Sequence, residues 1–224
     1  MILITNIDNF TIISGALLLF VAIVSSFICP YLRFNRGRWE RKGKASGGSL
    51  PPLSVILTPH DEPEALERNL PSLIAQKYDP GFQVIVIIEE GESETEEVLK
   101  RFQHSLDETS SNCSIYVTYI PQSSRYVSRK KLAMTLGIKA AKTEWLLLTE
   151  PTAKPASDTW LQAMAENCTD DHSLVVGYGK FDDEVSAFKR FEHLNSSYYL
   201  MREAAKGNAY AAMAPNIMIR KSEF

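Results

Sequence analysis

Along the chain the apolar positions first run unbroken and then alternate between short continuous runs and helical spacing. From Asn9 to Leu32 no residue is charged, and "FTIISGALLLFVAIVSSFICPYL" is long enough as a helix to cross roughly 30 Å of hydrocarbon. Residues 9–32 are therefore expected to form a transmembrane helix; the competing reading is a helix buried in a soluble core. The head "MILITNIDN" carries only Asp8, and Arg33, Arg36, Arg38, Arg41, Lys42 and Lys44 follow the apolar run. That order suits neither the basic start nor the small-residue cleavage site of a signal peptide. The positive-inside rule places residues 33 onward in the cytoplasm, so the expected location is the inner, cytoplasmic membrane with a single pass. The basic run can also touch anionic lipid head groups. Residues 33–52 end in the Gly/Ser/Pro-rich "RKGKASGGSLPP" and read as a juxtamembrane linker, so a folded domain is expected over 53–224.

Within that domain the pattern alternates. "LSVILT" (Leu53 to Thr58), "QVIVII" (Gln83 to Ile88), "SIYVTYI" (Ser114 to Ile120), "EWLLLT" (Glu144 to Thr149) and "SLVVGYG" (Ser173 to Gly179) read as five strands. Between them Leu66, Leu70, Leu73 and Ile74 recur at helical spacing, "ESETEEVLKRF" starts a helix with acidic residues, and Ala133, Leu136, Ile138 and Ala140 mark a third. Acidic groups in a first turn complement the positive end of the helix dipole. Strands that are apolar throughout, separated by amphipathic helices, indicate an α/β fold with a mostly parallel sheet covered on both faces. Val185, Phe188, Phe191, Leu194, Tyr198 and Met201 share one face of a further helix over Val185 to Gly207. This aromatic stripe is expected to pack into the core.

Composition narrows the function. A chain of 224 residues with 45% hydrophobic content can bury a core. A formal net charge of -3 gives no basic surface for a nucleic-acid partner. Three cysteines, Cys29, Cys113 and Cys168, form no CxxC pair, which excludes a zinc ribbon and argues for reduced, incidental thiols. "PHDEPE" stands after the first strand where a dinucleotide fold needs G-x-G-x-x-G, and neither a Walker A loop nor a G-x-S-x-G elbow occurs.

In an open parallel sheet, ligands bind beyond the carboxyl ends of the strands. The first strand ends on Thr58, His60, Asp61 and Glu62, the second on Glu89 and Glu90, the fourth on Glu150 and Thr152. Arg125, Arg129, Lys130 and Lys131 lie between the third and fourth. Carboxylates gathered at one sheet edge repel unless a cation or hydrogen bonds occupy the space. A divalent ion on a diphosphate, with Lys and Arg as further counter-charges, satisfies that arrangement. Taken singly, each side chain reads as a solvated strand-end group; taken together they point to a nucleotide site.

The segments "PPLSVILTPHDEPEALERNLPSLIAQKYDPGFQVIVIIEEGESETEEVLKRF", "SRKKLAMTLGIKAAKTEWLLLTEPTAKPASDTWLQAM" and "YAAMAPNIMIRKSEF" resemble glycosyltransferase family 2, whose members use the GT-A fold and nucleotide-diphosphate sugars. The resemblance implies that Thr58, Pro59, His60 and Glu62 line the base and ribose pocket, that Glu89 holds the nucleobase, and that Lys130 lies near the nucleotide. Arg129 and Thr135 depart from the family's G-K-x-x-A-L-N segment. Glu150, Pro151 and Thr152 stand where the family has D-x-D. Glu150 and Thr152 are thus the implied metal residues for Mg or Mn, weakened because a threonine hydroxyl is a poorer ligand for a hard ion than a carboxylate. The family's general base lies in an acceptor half beyond the segment like "NIMIRK"; no residue here matches it, so the acceptor half is expected to be incomplete and the base is unassigned.

The implied function is a membrane-anchored, hexosyltransferase-like enzyme that moves a sugar from a nucleotide-diphosphate sugar to a lipid or cell-envelope glycan, with inversion, as in polysaccharide biosynthesis. The alternative is a non-catalytic nucleotide-binding or scaffold member with a degenerate metal motif.

Overall fold

The computed structural model describes residues 9–28, 49–108, 112–121, 128–169, 172–182, 184–206, 210–212 and 215–224. The chain divides into two compact units, Met1–Gly43 and Lys44–Phe224. In the first, α1 (Asn9–Ile28) carries no charged residue, and large apolar side chains such as Phe10, Leu18 and Phe20 are exposed. Among the described residues no helix is long and apolar enough to cross a membrane, so the expected span over 9–32 is not shown. The basic run from Arg33 to Lys44, Cys29 and Arg125 lie outside the described residues.

In the second unit the elements follow the alternation in the sequence. They are β1 (Leu53–Leu57), α2 (Pro63–Ile74), β2 (Phe82–Glu89), α3 (Ser93–Glu108), β3 (Cys113–Ile120) and α4 (Arg129–Ala140). After these come β4 (Trp145–Thr149), α5 (Trp160–Ala165), β5 (Leu174–Val176), α6 (Ala187–Ala205) and β6 (Ile217–Arg220). The sheet order is β3-β2-β1-β4-β6-β5. β1 pairs in parallel with β2 and with β4, and β2 with β3. β6 runs antiparallel between β4 and β5. The sheet is therefore mostly parallel with one reversed strand that the sequence pattern did not mark.

Alternation along the strands explains the two layers. Leu53, Val55, Leu57, Val84, Val86 and Ile88 face α2, α3 and α5, where Leu66, Leu70, Leu99 and Leu161 complete a core. Ile56, Ile85, Ile87 and Leu146 face the other way, against Ala133 and Ile138 of α4. Ser54 lies on that second side, fully buried, and shares a 2.8 Å hydrogen bond with the Thr143 hydroxyl, which meets the requirement that a buried hydroxyl be paired. Among the described residues, neither core cluster includes a residue of α6. Phe188, Phe191 and Leu194 on that helix are exposed, while Tyr198 and Met201 are half-buried, and the expectation that the aromatic stripe packs into the core is corrected for those three residues. An apolar stripe dictates one apolar face, and here the sheet has already been covered by other helices.

Close approach fixes two glycines. A Cβ at Gly177 would lie 2.1 Å from Asn216 Nδ2, so this glycine serves the turn from β5 against the start of β6. A Cβ at Gly137 would lie 2.8 Å from both Ile56 Cγ2 and Ile87 Cδ1, so α4 sits on the sheet at this residue. Gly137→Val is expected to cost about 1–3 kcal/mol through overpacking. Thermal unfolding followed by circular dichroism should show a lowered Tm; an unchanged or raised Tm would show that α4 does not rest on the sheet there.

Candidate functional site

The chain runs from β1 outward to β3 and then returns to place β4 on the other side of β1, so the switch point of the sheet lies between β1 and β4. Adjacent crossovers leave in opposite directions there and open a crevice beyond the strand ends. Leu57 pairs with Thr149, and one residue beyond that pair stand Thr58 and Glu150. The turn after β4 is tied down from α2. Asn69 donates to the Pro151 carbonyl at 2.9 Å, and Ala153 N–H closes onto the Glu150 carbonyl at 3.0 Å. Gln76 donates to the Ser157 carbonyl and accepts from Leu161 N–H. Pro151 is buried while Thr152 is exposed.

α4 begins with Ser128, whose hydroxyl accepts from Lys131 N–H as an N-cap. Its first two residues then reach in two directions. Arg129, with 14% of its side chain exposed, donates from Nε to Glu89 Oε1. Its Nη2 donates to the Pro59 carbonyl at 2.6 Å and to Glu92 Oε1 at 3.3 Å. Lys130 donates from Nζ to Glu150 Oε1 at 2.7 Å. Consecutive cations thus join three strand ends: Arg129 holds those of β1 and β2, and Lys130 holds that of β4.

Glu92 is the buried partner, with 6% of its side chain exposed. Besides Arg129 it accepts from Glu89 N–H at 3.2 Å and from Asp61 N–H at 3.4 Å. Asp61 has φ 53, a left-handed conformation uncommon outside glycine, and the Glu92 carboxylate helps to hold it. His60 is exposed, its Nδ1 3.9 Å from Glu89 Oε1 and from Glu92 Oε1. Glu62, just ahead of α2, accepts from His60 N–H at 3.4 Å.

The structure therefore brings Pro59, His60 and Glu89 together around Arg129, and Lys130 to Glu150 beside Thr58. A cleft of about 710 Å³ opens next to them, between the first turns of α2 and α3. Of the sequence-predicted site residues only Glu62 lines it, among Asp61, Glu64, Glu92 and Glu94, with Arg68 as the one cation there. Five carboxylates facing one guanidinium disfavour a diphosphate, so Lys130 and Glu150, rather than this cleft, mark where a phosphate would be received. Sequence reasoning gave Arg129 only as one of several counter-charges and did not single out Glu92. The signal for Arg129 was its place in the basic stretch; Glu92 was one acidic residue among several.

A divalent ion is what the family resemblance implies, and the residues do not fit one. Glu150 already carries an ammonium, and its neighbour two residues on is a neutral, exposed threonine. His60, Glu89 and Glu92 place ligand atoms within 4.8 Å of one another, but the two carboxylate oxygens are those that accept the Arg129 guanidinium. A hard ion wants several carboxylate and carbonyl oxygens, and at this cluster it would stand against a fixed positive charge. The thiols contribute nothing: burial pushes Cys113 and Cys168 up to about 12, so both stay protonated and unreactive at neutral pH.

Residues 54–224 match Glycosyl transferase family 2; the chain belongs to this family. Among curated proteins none matches it. Among solved structures it is similar to the mannosyltransferase PcManGT from Pyrobaculum calidifontis, in complex with GDP-Man and Mn2+. There the TM-score is 0.59 and the identity 15%, over 90% of this chain and 55% of that one. It also matches S. aureus TarS 1-349, with TM-score 0.49 and 16% identity, over 76% of this chain and 47% of that one. The chain thus spans about half the length of these chains, and at 15% identity the likeness to PcManGT shows the GT-A fold.

Removing Arg129 leaves two carboxylates facing each other without their cation. Arg129→Met is expected to destabilise the fold by about 3 kcal/mol, the usual cost of stranding a buried charge. Adding Glu92→Gln should recover part of that loss, since the two residues share one contact. Equilibrium urea unfolding of the single and double variants checks this; strict additivity would remove the pair from the account.

Proposed function

We propose that this chain binds a nucleotide-diphosphate sugar at the β1/β4 switch point and transfers the sugar, with inversion, to a lipid or cell-envelope glycan acceptor. The observation that carries the reading is the joining of three strand ends by Arg129 and Lys130 in a family 2 domain. Base and ribose lie against Thr58, Pro59, His60, Glu62 and Glu89, and the diphosphate is received at Lys130 beside the first turn of α4. In the transfer the acceptor oxygen bonds to the anomeric carbon as the bond from that carbon to the diphosphate breaks. The acceptor proton passes to a base, for which no residue of this chain is assigned. Fixed cations at the leaving diphosphate stabilise the charge that develops there.

The anchor in this proposal is the segment 9–32. Its support is the uncharged, 20-residue α1, followed in sequence by Arg33, Arg36, Arg38 and Arg41, which sets the domain on the cytoplasmic side. A second reading, a non-catalytic nucleotide-binding or scaffold member, draws on the pairing of Glu150 with Lys130 and on Thr152 in place of a carboxylate.

The test uses the full chain in detergent micelles, titrated calorimetrically with uridine and guanosine diphosphates and their sugars. The account expects saturable binding of one base class, and release of that nucleoside diphosphate when membrane lipid extract is added. Binding without release favours the scaffold reading. No binding of any nucleotide overturns the proposal.

A further inference from the structure

We infer that the donor site works without a divalent ion, with the Lys130 ammonium as the counter-charge of the sugar diphosphate and Glu150 as the carboxylate that the diphosphate displaces from it. The inference rests on the donor-binding reading above and goes beyond it by naming what neutralises the diphosphate.

Charge at the switch point carries the inference. At the end of β4 one carboxylate, Glu150, stands 2.7 Å from Lys130 Nζ, and the pair sums to no net charge. Thr152, the other residue at the metal position, is neutral. A divalent ion binding here would meet one carboxylate and would have to displace or face an ammonium. The cluster at Glu89 and Glu92 is closed by Arg129, whose guanidinium engages both carboxylates and the Pro59 carbonyl. Glu150 and the Glu89–Glu92 pair have therefore each been given a protein cation in place of a metal.

The chemistry that remains open is anion binding. Lys130 is on the surface, with 60% of its side chain exposed, so a diphosphate oxygen can reach Nζ. A phosphate oxygen competes with Glu150 for the same ammonium, and a lysine binds phosphate as a point charge that needs no ligand geometry. When the diphosphate arrives, the Nζ–Glu150 contact is exchanged for Nζ–phosphate contacts. Glu150 is thus the carboxylate that the diphosphate displaces: it pairs with Lys130 while the site is empty.

Calorimetry on the full chain in detergent separates the possibilities, with uridine and guanosine diphosphates as probes, once in EDTA and once in Mn2+. The inference expects equal affinity in both buffers. Lys130→Met should weaken binding in EDTA roughly tenfold or more, and Lys130→Arg should stay within about threefold of the natural chain because charge is kept. Glu150→Gln discriminates most sharply. It should leave metal-free binding equal or tighter, since the diphosphate no longer competes with the carboxylate, whereas a metal site would lose affinity. Lys139→Gln, on an exposed residue of the last turn of α4, should change nothing, and melting curves confirm that each variant folds. Binding that requires Mn2+ and vanishes in Glu150→Gln overturns the inference and leaves the donor-binding reading intact. Unaltered binding by a folded Lys130→Met chain overturns the role of Lys130. Absence of binding in both buffers overturns the donor-binding reading itself.

Discussion

The Arg129 guanidinium holds this site together. Two carboxylates of the β2–α3 turn, Glu89 and Glu92, and the carbonyl of Pro59 at the end of β1 converge on it. A mostly buried carboxylate is costly unless it is paired and hydrogen-bonded, and Glu92 meets both conditions through Arg129, Glu89 N–H and Asp61 N–H. Those bonds hold Asp61 in its left-handed conformation and set the path of the chain from β1 into α2. Because Arg129 opens α4, the same interaction fixes the start of that helix, and the next residue, Lys130, is thereby delivered to Glu150 at the end of β4. One buried cation thus aligns the rims of three strands and aims the second cation.

Much of the fold was legible because burial on both faces leaves a plain trace. β1, β2 and β4 are the strands of the sheet centre, and each reads as an unbroken apolar run bounded by turn residues. β6 was not legible. Its four residues, Ile217–Arg220, form no long apolar run, and their partner β4 lies far back in the chain, so only tertiary pairing reveals them. α6 was legible as a helix but not in its packing. The spacing of Phe188, Phe191 and Leu194 states that one face is apolar; whether that face is covered depends on what else has reached the sheet.

The site divided in the same way. The strand-end rule picked out Thr58, Glu89 and Glu150 as candidates; the basic stretch offered several cations, and only the family resemblance singled out Lys130. What sequence could not state was which charge meets which. The Lys130–Glu150 contact requires the register that pairs Leu57 with Thr149 and the seating of α4 through Gly137 against Ile56 and Ile87. Arg129 stood among neighbouring cations in the sequence with no spacing to distinguish it. A position that departs from the family pattern proved to be the one that closes the acidic cluster, and an expectation of shared metal binding became one of carboxylates already matched by protein cations.

The most direct test is a crystal structure of the chain with a bound nucleoside diphosphate, grown in Mn2+ and measured at the manganese absorption edge. The account predicts diphosphate oxygens within hydrogen-bond reach of Lys130 Nζ, the Arg129 bridge unchanged, and no anomalous peak between the diphosphate and Glu150. A manganese peak coordinated by Glu150 and the diphosphate, with Lys130 turned away, would contradict it.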